Sequence, residues 1–166
     1  MLVVVALIAI MIGVTFPAIG AGLESLRLRS AADDIVAAFN AAQARSDRFQ
    51  EPVELILSPT HRTIDTRGVI SNTSRHLELP DGIRIAAILP APVPEGDDTN
   101  QPDRVFVHYP DGAVPRIAVN LVNSRGLHRL VTLDPITGVA SEQVFTGQLD
   151  QTNANRLAGD DLQGVR

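Results

Sequence analysis

The sequence predicts an α+β fold, with one long N-terminal helix packed on a small antiparallel β head that is expected to hold two sheets. Three observations carry this. Residues 1–23 hold no charge, and the first ionisable side chain is Glu24. From Leu28 the positions Leu28, Ala32, Ile35, Phe39, Ala42, Ser46 and Phe49 recur at steps of four and three, which is one face of a helix. After Pro52 the period falls to two, and β-forming residues alternate between strong turn sequences.

The helix is expected to have two halves. Leu2–Val14 is almost purely aliphatic, and the apolar character continues to Leu23. About 20 residues at ~1.5 Å each cross a hydrocarbon core of about 30 Å, so 1–23 reads as a transmembrane half. A buried core helix so apolar all round is more than the remaining chain could enclose. A secretory signal would need a basic segment ahead of the apolar run. Pro17 is expected to kink the helix in the membrane without ending it. Residues 24–50 form the amphipathic half. Leu28, Ala32, Ile35, Phe39, Ala42 and Phe49 are its helix-to-head packing face, and Ser46 is the one polar member of that stripe. Arg29, Asp33, Asn40, Gln43, Asp47 and Gln50 take the opposite face. Glu51-Pro52 closes the helix, because a residue before proline avoids the α region. A continuous helix over 2–49 would be roughly 72 Å long.

Residues 51–145 form the head. Strands are expected at 53–57, 63–66, 76–79, 83–89, 105–109, 116–122, 127–133 and 139–145. Pro80-Asp81-Gly82 and Pro110-Asp111-Gly112 are turns with a mechanism, since proline pre-sets φ and glycine accepts φ > 0. Ser124-Arg125-Gly126 and the run Asp134-Pro135-Ile136-Thr137-Gly138 supply two more. Residues 90–104 are the one long loop, carrying Glu95, Asp97, Asp98 and Asp103. Residues 146–166 are a polar tail, expected to be largely mobile.

Composition removes several chemistries. The 166 residues include no Cys, so there is no disulfide framework, thiolate metal site or cysteine nucleophile. All basic residues are Arg, which excludes Schiff-base and P-loop lysines. No P-loop, GxGxxG or GxSxG motif is present, and His61, His76, His108 and His128 lack metal-ligand spacing. The four are read as exposed or hydrogen-bonded strand histidines. The 95–103 loop has the oxygens a calcium ion takes but lacks EF-hand spacing, and is read as a solvated acidic loop. No catalytic residue, metal or cofactor is assigned. The most basic neighbourhood holds Arg62, Arg67 and Arg75, which are the alternative contacts to DNA. The net charge of −5 and the lack of Trp argue against nucleic acid.

The uncharged start MLVVVALIAIMIGVTFPAIG, running into an amphipathic helix and then small sheets, resembles type IV pilins and type II secretion pseudopilins. Pro17 falls where that superfamily's helix-kinking proline is expected. Ser30-Ala31-Ala32-Asp33-Asp34-Ile35 through Ala41-Ala42-Gln43-Ala44-Arg45-Ser46 resembles the helix of the GspH/FimT group of minor pseudopilins. Leu79-Pro80-Asp81-Gly82, Tyr109-Pro110-Asp111-Gly112 and Pro135-Ile136-Thr137-Gly138 resemble its three turns. The resemblance covers about residues 1–145.

It implies a minor pseudopilin, a non-enzymatic, membrane-anchored structural subunit of a type II secretion pseudopilus serving protein secretion. The alternative is a minor type IV pilin in pilus assembly or DNA uptake with a DNA-binding head. The implied partners are other pseudopilins or pilins through the N-terminal helix, together with the inner membrane, and the head is expected in the periplasm. The family's leader, its terminal glycine and its glutamate are expected upstream of Met1, read here as a miscalled start or a boundary. Prepilin peptidase is then a further partner.

Overall fold

The structure is a computed structural model that describes residues 2–90, 102–112 and 114–145, with the side chains of 2, 5–21 and 145 outside the description. One α-helix, α1, runs over Leu2–Phe49. Eight strands follow: β1 (Val53–Ser58), β2 (Thr63–Gly68), β3 (Ser74–Glu78), β4 (Ile83–Leu89), β5 (Arg104–His108), β6 (Ile117–Asn123), β7 (His128–Leu133) and β8 (Ala140–Phe145). They form two four-stranded sheets, ordered β3-β2-β1-β5 and β4-β6-β7-β8. Every pairing is antiparallel.

The alternation read from the sequence sets the faces. In β1, Val53, Leu55 and Leu57 point to the core, and each is fully buried. Their register partners on β5 are His108, Phe106 and Arg104. Sheet two contributes Ile83, Ile85, Ile117, Val119, Leu121, Val131, Leu133 and Ala140 to the same core. The helix lies against both sheets. Leu28, Ala32, Ile35, Phe39 and Ala42 are buried, and Ala31 and Ala38 widen the stripe. The added alanines follow from the geometry, since a helix face seated on two sheets is broader than one row of side chains.

The turns that carry glycine lie where strands reverse. Ile83 donates its amide to the Pro80 carbonyl at 3.1 Å, and Gly112 donates to the Tyr109 carbonyl at 3.3 Å. Gly82 and Gly112 both take φ 83°, which a side chain would strain. In the β7–β8 turn Gly138 donates to the Asp134 carbonyl at 2.9 Å. Asp134 Oδ1 accepts the Ile136 amide at 2.8 Å, and the Thr137 amide also reaches it.

Two expectations are corrected. The first is the single-pass inner-membrane anchor with a periplasmic head. Among the described residues, no helix is long and apolar enough to cross a membrane. From Gly22 onward the helix carries Glu24, Arg27, Arg29, Asp33 and Asp34, and an apolar run of about 20 residues is not available there. The kink assigned to Pro17 falls among the side chains outside the description.

The second is Phe49, expected in the packing face but 58% exposed. The core ends one turn earlier, at Ser46, and the chain reverses at Gln50 with φ 53°. The Phe49 ring is flanked instead by the Arg45 and Arg48 guanidiniums, at 5.4 and 5.5 Å from its centroid. The acidic residues Glu95, Asp97 and Asp98 and the tail 146–166 lie outside the described residues.

Candidate functional site

The helix is the element with surface to spare. Its first described buried side chain is Leu28. The first tether to the head is an ion pair of Glu24 with Arg125 on the β6–β7 turn, at 2.8 Å. Before and between these points Val3, Val4, Leu23 and Leu26 stand exposed, Val3 at 81% and Leu26 at 63%. At ~1.5 Å per residue, roughly 39 Å of helix precedes Leu28. Exposed aliphatic side chains spread along a rod are surface that another apolar surface can cover.

At the other end, the helix is locked to sheet one by polar groups. Ser46 is buried, and its hydroxyl donates to the carbonyls of Glu51 at 2.9 Å and His108 at 3.2 Å. The Ser46 hydroxyl thus joins the helix end to the chain just before β1 and to the end of β5, and supplies buried carbonyls with a donor. Glu51 is also buried. Its carboxylate accepts from the Ser71 hydroxyl at 2.7 Å and from the amides of Ser71 and Ile70 at 2.8 and 3.2 Å. Those hydrogen bonds, the Ser71 hydroxyl first, hold its pKa below the usual 4.5 by favouring the charged form. Arg45 stands 3.4 Å from Oε1 and donates to the Ser71 hydroxyl at 2.8 Å. Gly68 leaves the room this requires, since a Cβ there would lie 2.5 Å from both Glu51 Oε1 and Ser71 Oγ. In the sequence, Glu51 reads only as the helix stop, and its hydrogen-bond donors Ile70 and Ser71 are about twenty residues away with no local signal.

The histidines divide. His61 is exposed. His76 Nδ1 lies 2.6 Å from Asp65 Oδ1, and His128 Nδ1 lies 3.2 Å from Asn120 Oδ1. His108 departs from the expectation of an exposed or hydrogen-bonded residue. It is fully buried, and neither ring nitrogen has a hydrogen-bond partner among the described residues. Burial pushes its pKa down to about 4, opposed by the Asp47 charge. The signal was present in the alternation, because His108 shares the core-facing side of β5 with Phe106.

The arginines proposed for DNA do not converge. Arg62 pairs with Asp81 at 3.4 Å and Arg67 with Glu54 at 3.6 Å. Arg67 is registered opposite Ser74, and Arg75 opposite Thr66. Register partners share a face and neighbours along a strand do not, so Arg67 and Arg75 lie on opposite faces of sheet one. Asp103, the described end of the acidic loop, accepts a hydrogen bond from the Ser58 hydroxyl. Among the described residues no group of three or more His, Asp or Glu is placed to hold a metal ion. No protein-family model, curated protein or solved structure matches this chain.

Proposed function

We propose that this chain is a structural subunit of a pilin-like filament, a minor pseudopilin of the type II secretion kind, and that it works by co-assembly. Its N-terminal helix packs against the helices of sibling subunits, and the head supplies the surface that distinguishes it from them. The reading assigns no reaction to the chain.

One observation carries it. A single helix of 48 residues is gripped by the head only from Glu24 onward among the described side chains, and Val3, Val4, Leu23 and Leu26 are left exposed. On the gripped half the stripe from Leu28 to Ala42 is ordinary core. Val3, Val4, Leu23 and Leu26 lie outside that core, and lateral packing of rods would cover them. The resemblance of the N-terminal sequence to pseudopilins supports the same reading.

The absence of cysteine makes the test clean. Val3→Cys and Leu26→Cys variants, produced alongside pilin-like subunits bearing single cysteines in their own helices, are expected to give specific disulfide cross-links under mild oxidation, or thioether cross-links with a bis-maleimide. A Thr137→Cys variant, in an exposed head turn, is the control. Cross-linking no better from the helix positions than from the turn overturns the proposal.

A further inference from the structure

His108 ends β5, and its position has consequences for how the head responds to acid. The ring is fully buried on the core-facing side of the strand, opposite Val53 of β1. The last turn of α1 is tied to the strand at this residue, since Ser46 Oγ donates to the His108 carbonyl at 3.2 Å. A neutral imidazole has one donor and one acceptor, and here both are buried without a partner among the described residues. Such a group is stable only while neutral, because the charged form needs water or a counter-charge.

The charged groups around it are otherwise engaged. On the helix, Asp47 favours the protonated ring but is itself exposed and accepts from Gln43 at 3.2 Å. Arg45 and Glu51 are committed to each other and to Ser71. Arg48 lies over Phe49. On β1, Glu54 faces away from the core and pairs with Arg67. On β5, Arg104 donates to the Pro90 carbonyl at 2.9 Å.

The route to water is set by topology. Among the described residues β5 is an edge strand, held to β1 alone, and the chain turns away after it at Tyr109–Gly112. Swinging the C-terminal end of β5 outward breaks few ladder bonds, whereas sheet two shares none with it. We propose that His108 is an acid-operated latch: its protonation frees the end of β5 and the last turn of α1 from each other while sheet two stays folded. The inference stands on the head alone and does not depend on the filament reading.

With His108 at about 4 when folded and 6.5 in its ordinary state, the latch equilibrium shifts about a hundredfold between pH 7 and pH 4 by proton linkage. Amide hydrogen exchange on the full chain, corrected for the intrinsic effect of pH, tests this. Protection of the β5 amides and of Ser46–Phe49 is expected to fall about a hundredfold, with β6 and β7 retained. His108→Leu is expected to abolish the fall. The ring itself, followed by NMR, is expected to titrate near pH 4 in the closed form, with β5 protection falling over the interval above it, from about pH 6.5 to pH 4. A ring that titrates at 6–7 in the folded chain overturns the latch. So does equal loss of protection in β5 and β6, or β5 protection unchanged between pH 7 and pH 4. If His108→Leu fails to fold, the ring titration and the β5–β6 contrast in the unaltered chain decide.

Discussion

Phe39 and Phe49 sit ten positions apart on one helix face, yet one is fully buried and the other is 58% exposed. The side chains are identical, so the difference is where the sheets end. Phe39→Ala is expected to cost ~3–5 kcal/mol, from lost transfer energy and the cavity left behind. Phe49→Ala acts on an exposed ring flanked by two arginines and is expected to cost about 1 kcal/mol or less. Urea denaturation of the full chain measures both, and equal costs would show the helix seated differently. Gly68 is a second residue whose identity is fixed by space. Gly68→Ala pushes a methyl into Glu51 and Ser71 and is expected to destabilise by ~1–3 kcal/mol as an overpacked site. From the sequence that strand ends at Thr66 and Gly68 is unmarked, because the buried carboxylate that needs the space arrives from the far end of the helix.

Between elements, the junction of α1 with sheet one is polar where the rest of the interface is apolar. Ser46→Ala leaves the Glu51 and His108 carbonyls without their donor. It is expected to cost ~1–3 kcal/mol, read by the same denaturation. Ser46→Thr keeps the hydroxyl and is expected to recover part of the loss. All eight strands were legible from alternation and from the turns that bound them, and the structure moves their ends by only a residue or two. The partner of each strand was less legible. The hairpins β1–β2 and β6–β7 follow from short turns, but β5 returns to pair with β1 across nearly fifty residues. No local chemistry announces that pairing. It arises because β1 has a free edge and β5 has an apolar face that must reach the core.

For the whole molecule, the pH dependence of stability follows from His108 and Glu51. His108 binds a proton less readily folded, at about 4, than unfolded, at 6.5. Its contribution is therefore fully present above pH 6.5 and is lost as the pH falls toward 4, by about 3 kcal/mol in total. Glu51, whose pKa is lowered from 4.5, acts in the same direction, with its contribution lost as the pH falls through its folded value. The unfolding free energy is thus expected to start falling near pH 6.5, earlier than carboxylates alone would bring about. Denaturation at intervals from pH 7.5 to 4 checks this. In His108→Leu the decline is expected to begin only where carboxylates titrate, and an unchanged profile would remove His108 as the cause.

By itself the sequence determined the α+β class, the helix over 2–49, the positions of the strands to within a residue or two, and the core stripe from Leu28 to Ala42. Each of these depends on periodicity and on turn chemistry between near neighbours, and both are written in order along the chain. It also carried the resemblance on which the filament proposal draws. Only the tertiary structure decided the pairing into two four-stranded sheets, the point where the helix leaves the core, the burial of Glu51, the lack of a partner for the His108 ring among the described residues, and the separation of Arg67 from Arg75 across a sheet. The described helix also withdrew support from the membrane-spanning reading of 1–23. These features depend on groups far apart in sequence brought within a few ångströms. Burial and hydrogen-bond satisfaction select such contacts, and no local pattern encodes them.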